Sequence, residues 1–322
     1  MMAIRFGLYP GSTCGDDAGH LVSGPPDRPE AIHKALDTLE DGTTTRLLVR
    51  GYTTFTDGRG PDATDILTPI DAEQYVVGGR QLDLVAQYQS RTADIDGYAH
   101  FVRRLVRRFG AMAATIQITE EPNVQGNAVL DGHYPNIVRA IVAGVAAAND
   151  EARECGFDHL RVGVNTTPLF GPSARFYAEL VAAGGRSLID GLGYIGLDMF
   201  PDVFRPVADG EVRAATRGLL TYHRREILEP AGLGHVPIHI TEHGWPTGLE
   251  RTPARQAEVL RDVIDTVLET HESLGIAAYE LFGLRDADSR GPGLFHRFGI
   301  MTDDYAPKPA FEVFRRALTR AN

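Results

Sequence analysis

The sequence predicts an α/β fold, a single (β/α)8 TIM barrel spanning residues 1–322. Three observations predict it. Eight short apolar runs alternate with helix-patterned stretches from Ala3 to the C-terminus, the rhythm of a parallel sheet built by repeated crossovers. Several of these runs are mainly apolar rather than alternating, as expected for strands covered on both faces. No linker or low-complexity segment interrupts the 322 residues, 43% of them hydrophobic, so one barrel rather than two domains absorbs the length.

The first run is Ile4 to Tyr9, and the second, Thr45 to Arg50. Between them Pro10-Gly11-Ser12-Thr13-Cys14-Gly15 has a loose likeness to the phosphate turn of an open doubly wound sheet. That architecture would place an acidic residue at the end of the second strand, where this chain has Arg50. The third run is Leu82 to Gln87. In the helix after it Tyr98, Phe101, Val102, Leu105, Val106 and Phe109 form one stripe, and Arg103, Arg104, Arg107 and Arg108 take the other side as a solvated face. Runs four to seven are Ala114 to Thr119, Leu160 to Asn165, Leu192 to Met199 and Pro237 to Thr241. The next helix opens at Thr252-Pro253, a cap followed by proline at the first helical position, and carries Val259, Leu260, Val263, Ile264, Val267 and Leu268. Ile276 to Phe282 is the eighth run, and a last helix opened by Pro307 and Pro309 carries Phe311, Phe314 and Leu318. One helix per strand gives eight helices.

A net charge of -11 disfavours nucleic acid and anionic membrane surfaces as partners and points to a neutral small molecule. The start, MMAIRFGLYPG, has no apolar core of a signal peptide, and no apolar run approaches the roughly 18 residues of a membrane span, so a cytoplasmic location is expected. Cys14 and Cys155 are too few for a disulfide framework or a metal cluster and read as free thiols.

In such barrels the reacting groups stand at the C-terminal ends of the strands. Glu121 follows the fourth run in ITEEPN, and Glu242 follows the seventh in IHITEHGWP. Strands four and seven of eight face each other obliquely across the mouth. Glycoside hydrolysis needs two such groups, one acid to protonate the departing oxygen and one carboxylate to stabilise or attack the oxocarbenium-like centre. A separation of about 5 to 5.5 Å forces covalent attack and retention, and about 6.5 to 9.5 Å admits a water and gives inversion.

At these residues the chain resembles the clan A glycoside hydrolases, which carry Asn-Glu-Pro after strand four and a nucleophilic glutamate after strand seven. Glu121-Pro122-Asn123 and Thr241-Glu242-His243-Gly244-Trp245 carry the resemblance, which extends over the whole barrel. It implies a retaining double displacement with Glu121 as acid/base and Glu242 as nucleophile. It also implies that Arg50, where the clan keeps an arginine after strand two, bonds the nucleophile and holds it ionised. The tail from Phe298-Gly299-Ile300 to Phe311 looks like the clan's hairpin and last helix. Two departures bear on the sugar's second carbon. Glu120 stands where the clan has asparagine, and Phe200 stands where a tyrosine often contacts the nucleophile. Glu120 either faces the pocket, raising the pKa of Glu121 and selecting an unusual 2-substituent, or turns outward to pair with an arginine.

Three further residues are candidate substrate contacts. Trp245, the only tryptophan, is placed to stack on a sugar or to pack at the rim. Asn165 and Asp198 end strands five and six, where they reach hydroxyls or cap turns. Arg285 to Arg290 form a charged rim loop. A single tryptophan and 8% aromatics favour a short oligosaccharide or small glycoside over a polymer. No metal or organic cofactor is implied, because two carboxyls suffice.

Two rival classes remain. His239-Ile240-Thr241-Glu242-His243 matches the H-x-x-E-H pattern of a zinc peptidase, which requires a helix. Pro237, the β-branched run and Gly244 instead read as a strand, on which histidines four apart lie about 13 Å from each other. A sugar-binding barrel without catalysis is the other, although binding alone has no use for both carboxylates.

Overall fold

The computed structural model describes residues 4–58 and 65–320. Its barrel strands are β1 (Arg5–Tyr9), β2 (Leu48–Thr56), β3 (Gln81–Gln89), β4 (Ala113–Ile118), β5 (Arg161–Thr166), β6 (Tyr194–Asp198), β7 (Ile238–His243) and β8 (Ile276–Phe282). Each pairs in parallel with the next in sequence, and β8 returns to β1, with Arg5 opposite Ala278 and Tyr9 opposite Phe282. The sheet therefore has no open edge, and every crossover places its connection on the outside.

Seven α-helices make up the outer layer among the described residues: α1 (Pro29–Glu40), α2 (Ile95–Phe109), α3 (Ile137–Cys155), α4 (Phe176–Gly191), α5 (Val212–Tyr222), α6 (Pro253–Leu274) and α7 (Pro309–Arg320). The stripe read from α2 is its buried face, and Asp94 caps it by accepting from the Gly97 amide at 2.8 Å. The arginines opposite are not merely solvated: Arg103 and Arg107 pair with Glu151 of α3, and Arg104 with Asp65. Thr252 caps α6 as expected, with Pro253 at its first turn. Phe314 of α7 meets Phe6 of β1 at 6.0 Å and Tyr279 of β8 at 6.5 Å, so the last helix seals the seam where the barrel closes. Truncating such a fully buried ring to alanine costs about 3–5 kcal/mol.

The structure corrects two expectations. The β2–β3 connection carries no α-helix among its described residues, only a single 3-10 turn, Ala72–Tyr75, whose Ala72 and Tyr75 are buried. Its residues offer no helical stripe, and Gly78 and Gly79 both take positive φ before β3. Residues 59–64 lie outside the described set. The second strand also does not end at Arg50 but runs six residues further, to Thr56. Beyond Gly51 alternate residues face the open mouth, so the run turns polar without ceasing to be a strand.

Candidate active site

A cavity of about 670 Å³ opens at the C-terminal end of the barrel, and Glu120, Glu121, Asp198, Phe200 and Glu242 all reach its wall. The volume is that of a small-ligand site.

The β4 end delivers two carboxylates to one place. Consecutive residues of an extended chain point to opposite faces. Here Thr119 and Glu121 adopt left-handed conformations, φ 69 and 44, which break the alternation and let both Glu120 and Glu121 face the cavity. Such backbone costs about 1–3 kcal/mol per residue and has to be held from outside. Buried Asp131 does so by accepting from the Glu120 amide at 2.8 Å and the Tyr88 amide at 2.7 Å. Asn165 accepts from the Glu121 amide at 3.0 Å, and Asn123 exchanges two hydrogen bonds with Thr167 in the loop after β5.

The β7 end delivers Glu242. Thr241 donates to Asp198 at 2.6 Å, and the Met199 amide donates to the Glu242 carbonyl at 2.9 Å, fastening β7 to β6. Gly244 follows because a Cβ there would come within 2.0 Å of the Phe282 carbonyl oxygen. The Tyr52 hydroxyl donates to Oε1 of Glu242, and Arg50 Nε lies 3.7 Å from the same oxygen. Arg50 in turn donates to Tyr52 at 2.6 Å.

Arg50 is thus inside the barrel, 1% exposed, and not on its rim. It bonds Asp83, Gln117 and Glu120 as well, the last at 3.3 Å. Glu120 consequently does both things set against each other above: it faces the pocket and pairs with an arginine, because that arginine stands behind the pocket floor. Gln117 donates to Glu120 at 2.7 Å, and Asn165 donates to its other oxygen at 3.2 Å and to Asp198.

This much acid in one enclosure disfavours ionisation. Burial, then the charge of Asp198, pushes Glu120 well above the usual carboxylate range. Burial, then the charges of Glu120 and Glu242, does the same to Glu121. Asp198 is raised by burial and by Glu242. Glu242 is pushed up to about 8 by burial and then by Glu120, against the pull of Arg50 and the Tyr52 hydroxyl. Glu120, Glu121 and Asp198 bring one oxygen each within 4.8 Å of one another, a grouping that could meet around a cation. The oxygens of Glu120 and Asp198 are already engaged by Arg50, Gln117, Asn165 and Thr241.

Among the remaining expected contacts, Asn165 is fully buried behind the wall, where it supports Glu120, Glu121 and Asp198. Trp245 does not join the wall. Its ring packs in the core under Arg251 at 4.6 Å, and its Nε1 donates to Asp202, which turns it away from any sugar. Arg285 is likewise buried, bonded to Ser12 and Asp27, instead of rimming the pocket. Segment 239–243 lies in β7, as read, with His239 stacked on Tyr194 at 4.1 Å and His243 bonded to Tyr279. Both cysteines are free; Cys14 reaches the cavity, but burial pushes its thiol up to about 12. Tyr52 was the residue missed, and the alternation of Tyr52, Thr54 and Thr56 with Thr53 and Phe55 was the signal that could have found it.

No family model matches the chain, and no curated protein does. Solved structures do. A glucosidase from Croceicoccus marinus superposes with a TM-score of 0.64 at 13% identity, over 100% of this chain and 71% of the other. A beta-glucosidase from Exiguobacterium marinum gives 0.64 at 11% identity, over 98% of both. A family 39 glycoside hydrolase from Bacteroides cellulosilyticus WH2 gives 0.61 at 16%, over 92% and 62%. All three share the closed (β/α)8 barrel of this chain. The likeness, at these identities, is one of fold. Among the described residues, no helix of this barrel is long and apolar enough to cross a membrane.

Proposed function

We propose that the barrel acts as one catalytic unit, a retaining glycoside hydrolase for a small glycoside or short oligosaccharide. The observation that carries the reading is that Glu121 and Glu242, 121 positions apart in the chain, share one cavity wall at the ends of β4 and β7. Both the Tyr52 hydroxyl and Arg50 act on Oε1 of Glu242, which leaves Oε2 for the anomeric carbon.

In the first step Glu121, protonated, gives its proton to the glycosidic oxygen as that bond to the anomeric carbon breaks, and Oε2 of Glu242 forms the new bond. In the second, Glu121 takes a proton from water, whose oxygen displaces Glu242 from the same carbon. The raised pKa of Glu121 suits the first role, since it has to begin neutral. Arg50 and Tyr52 suit Glu242 to attack in that same first step by favouring its charged form against the effect of burial. Glu120 stands where the clan has asparagine and offers a sugar hydroxyl a carboxyl group in place of an amide.

Hydrolysis of an activated aryl glycoside, followed by NMR, tests the reading. The first sugar released should have the anomeric configuration of the substrate; the opposite anomer would make Glu242 a general base and the enzyme an inverting one.

A further inference from the structure

Much of the rest of the cavity wall is aromatic. From Phe282 at the end of β8, rings follow one another outward: Phe298 at 5.8 Å, Phe295 at 6.0 Å and Phe204 at 6.1 Å. Phe200 braces this row, 5.7 Å from Phe298 and 5.8 Å from Phe204. All five line the cavity. Seven large hydrophobic side chains are exposed among the described residues, and three of them, Leu21, Phe170 and Phe204, belong to this wall at 70%, 44% and 59% exposure. They come from the loops after β1, β5 and β6, which stand on opposite sides of the ring. Apolar surface held open to water on both sides of a cavity mouth marks a place where something apolar binds.

Beside Phe204, the charged groups of the loop after β6 are already engaged. Asp202 accepts from the Val207 amide at 2.9 Å and from Trp245 at 3.2 Å, and it pairs with Arg255 at 3.6 Å. Arg205 lies over the Phe170 ring at 5.7 Å. A second sugar would find rings there but few partners for its hydroxyls. On the other side, Thr54, Gln87 and Gln89 of β2 and β3 offer polar wall next to Tyr52 and Glu242.

We propose that the natural substrate is an amphipathic glycoside, a single sugar on the polar side joined to a large alkyl or aryl aglycone that lies along Phe282, Phe298, Phe295 and Phe204. This rests on the glycosidase reading and narrows it, setting aside the oligosaccharide.

The test uses the full chain and a series of alkyl glycosides, methyl to decyl, of whichever sugar an aryl glycoside panel shows to be accepted. kcat/KM should rise about two- to fourfold per methylene, chiefly through KM, until the aglycone clears the rim. Phe204→Ser and, separately, Phe170→Ser should cut the decyl-to-methyl preference at least about fivefold. A flat series, or variants that lower methyl and decyl turnover equally, overturns the proposal while leaving the glycosidase reading intact. Should no glycoside be hydrolysed, that reading fails, and the apolar wall is judged by calorimetry with octyl glucoside below its micelle concentration. Binding weakened at least about tenfold by Phe204→Ser then upholds an amphipathic ligand, and no binding of octyl glucoside overturns it.

Discussion

The ends of β4 and β7 each present a glutamate to the same cavity, yet they surround it differently. Glu242 receives a hydroxyl from Tyr52 and faces Arg50, both acting to keep its charge. Glu121 has its backbone anchored by Asn165, while its carboxyl lies in a field of negative groups dominated by Glu120. Burial raises both carboxyls, but Tyr52 and Arg50 oppose the rise at Glu242, which makes it the readier of the two to ionise, the difference that the proposed acid and nucleophile roles need. The lesson is that the neighbours, more than the glutamates themselves, divide the labour.

Breaking the β7 side outright should have the largest effect. Glu242→Gln removes the attacking oxygen and is expected to lower kcat about ten-thousandfold or more on every glycoside, in steady-state assays. Glu121→Ala should follow, with a loss of about a hundred- to ten-thousandfold on substrates with poor leaving groups and much less on activated aryl ones. Equal losses on both substrate types would deny Glu121 the proton.

Sharper tests alter the neighbours. Tyr52→Phe takes one donor from a charged oxygen and should lower kcat about ten- to a hundredfold. With that donor gone Glu242 ionises less readily, so the acid limb of the pH–rate profile moves to higher pH. On the proposed mechanism the unaltered protein requires Glu242 ionised and Glu121 protonated, so activity should fall as pH drops through the first group and as pH rises through the second. With Glu242 pushed up to about 8 and Glu121 raised as well, the optimum is expected on the alkaline side of neutrality, with limbs that belong to the cluster. Glu120→Gln should change the rate least and the profile most simply. It removes a charge that raises both glutamates, so both limbs should move to lower pH, by on the order of one unit. A variant that shifts only one limb would show that Glu120 reaches only one of the pair.

Much of the barrel was legible because strand interiors covered on both faces leave a mainly apolar signature, as in Ala113–Ile118 and Ile276–Phe282, interrupted only by Thr115, Gln117 and Glu280. Legibility failed where a strand passes out of the core into the mouth. Tyr52 and Thr54 of β2 are half-buried wall residues, and their polarity resembles a loop's. The missing crossover helix failed for the converse reason, since regular alternation elsewhere invited one more. Glu121 and Glu242 were readable from short motifs at strand ends, whereas the partners that differentiate them come from β2 and β5 and leave no local mark. Trp245 stayed between stacking and packing because its position after Glu242 says nothing about the side chain's direction, which Asp202 and Arg251 decide.

The reach of Arg50 and Tyr52 across the barrel has a consequence for fragments of the chain. A cut in the loop between Glu121 and β5 would put Arg50, Tyr52, Glu120 and Glu121 on one piece and Asn165, Asp198 and Glu242 on the other. Neither piece holds a complete set, so hydrolysis should return only when the complementary half-barrels reassemble, making turnover a direct gauge of their association.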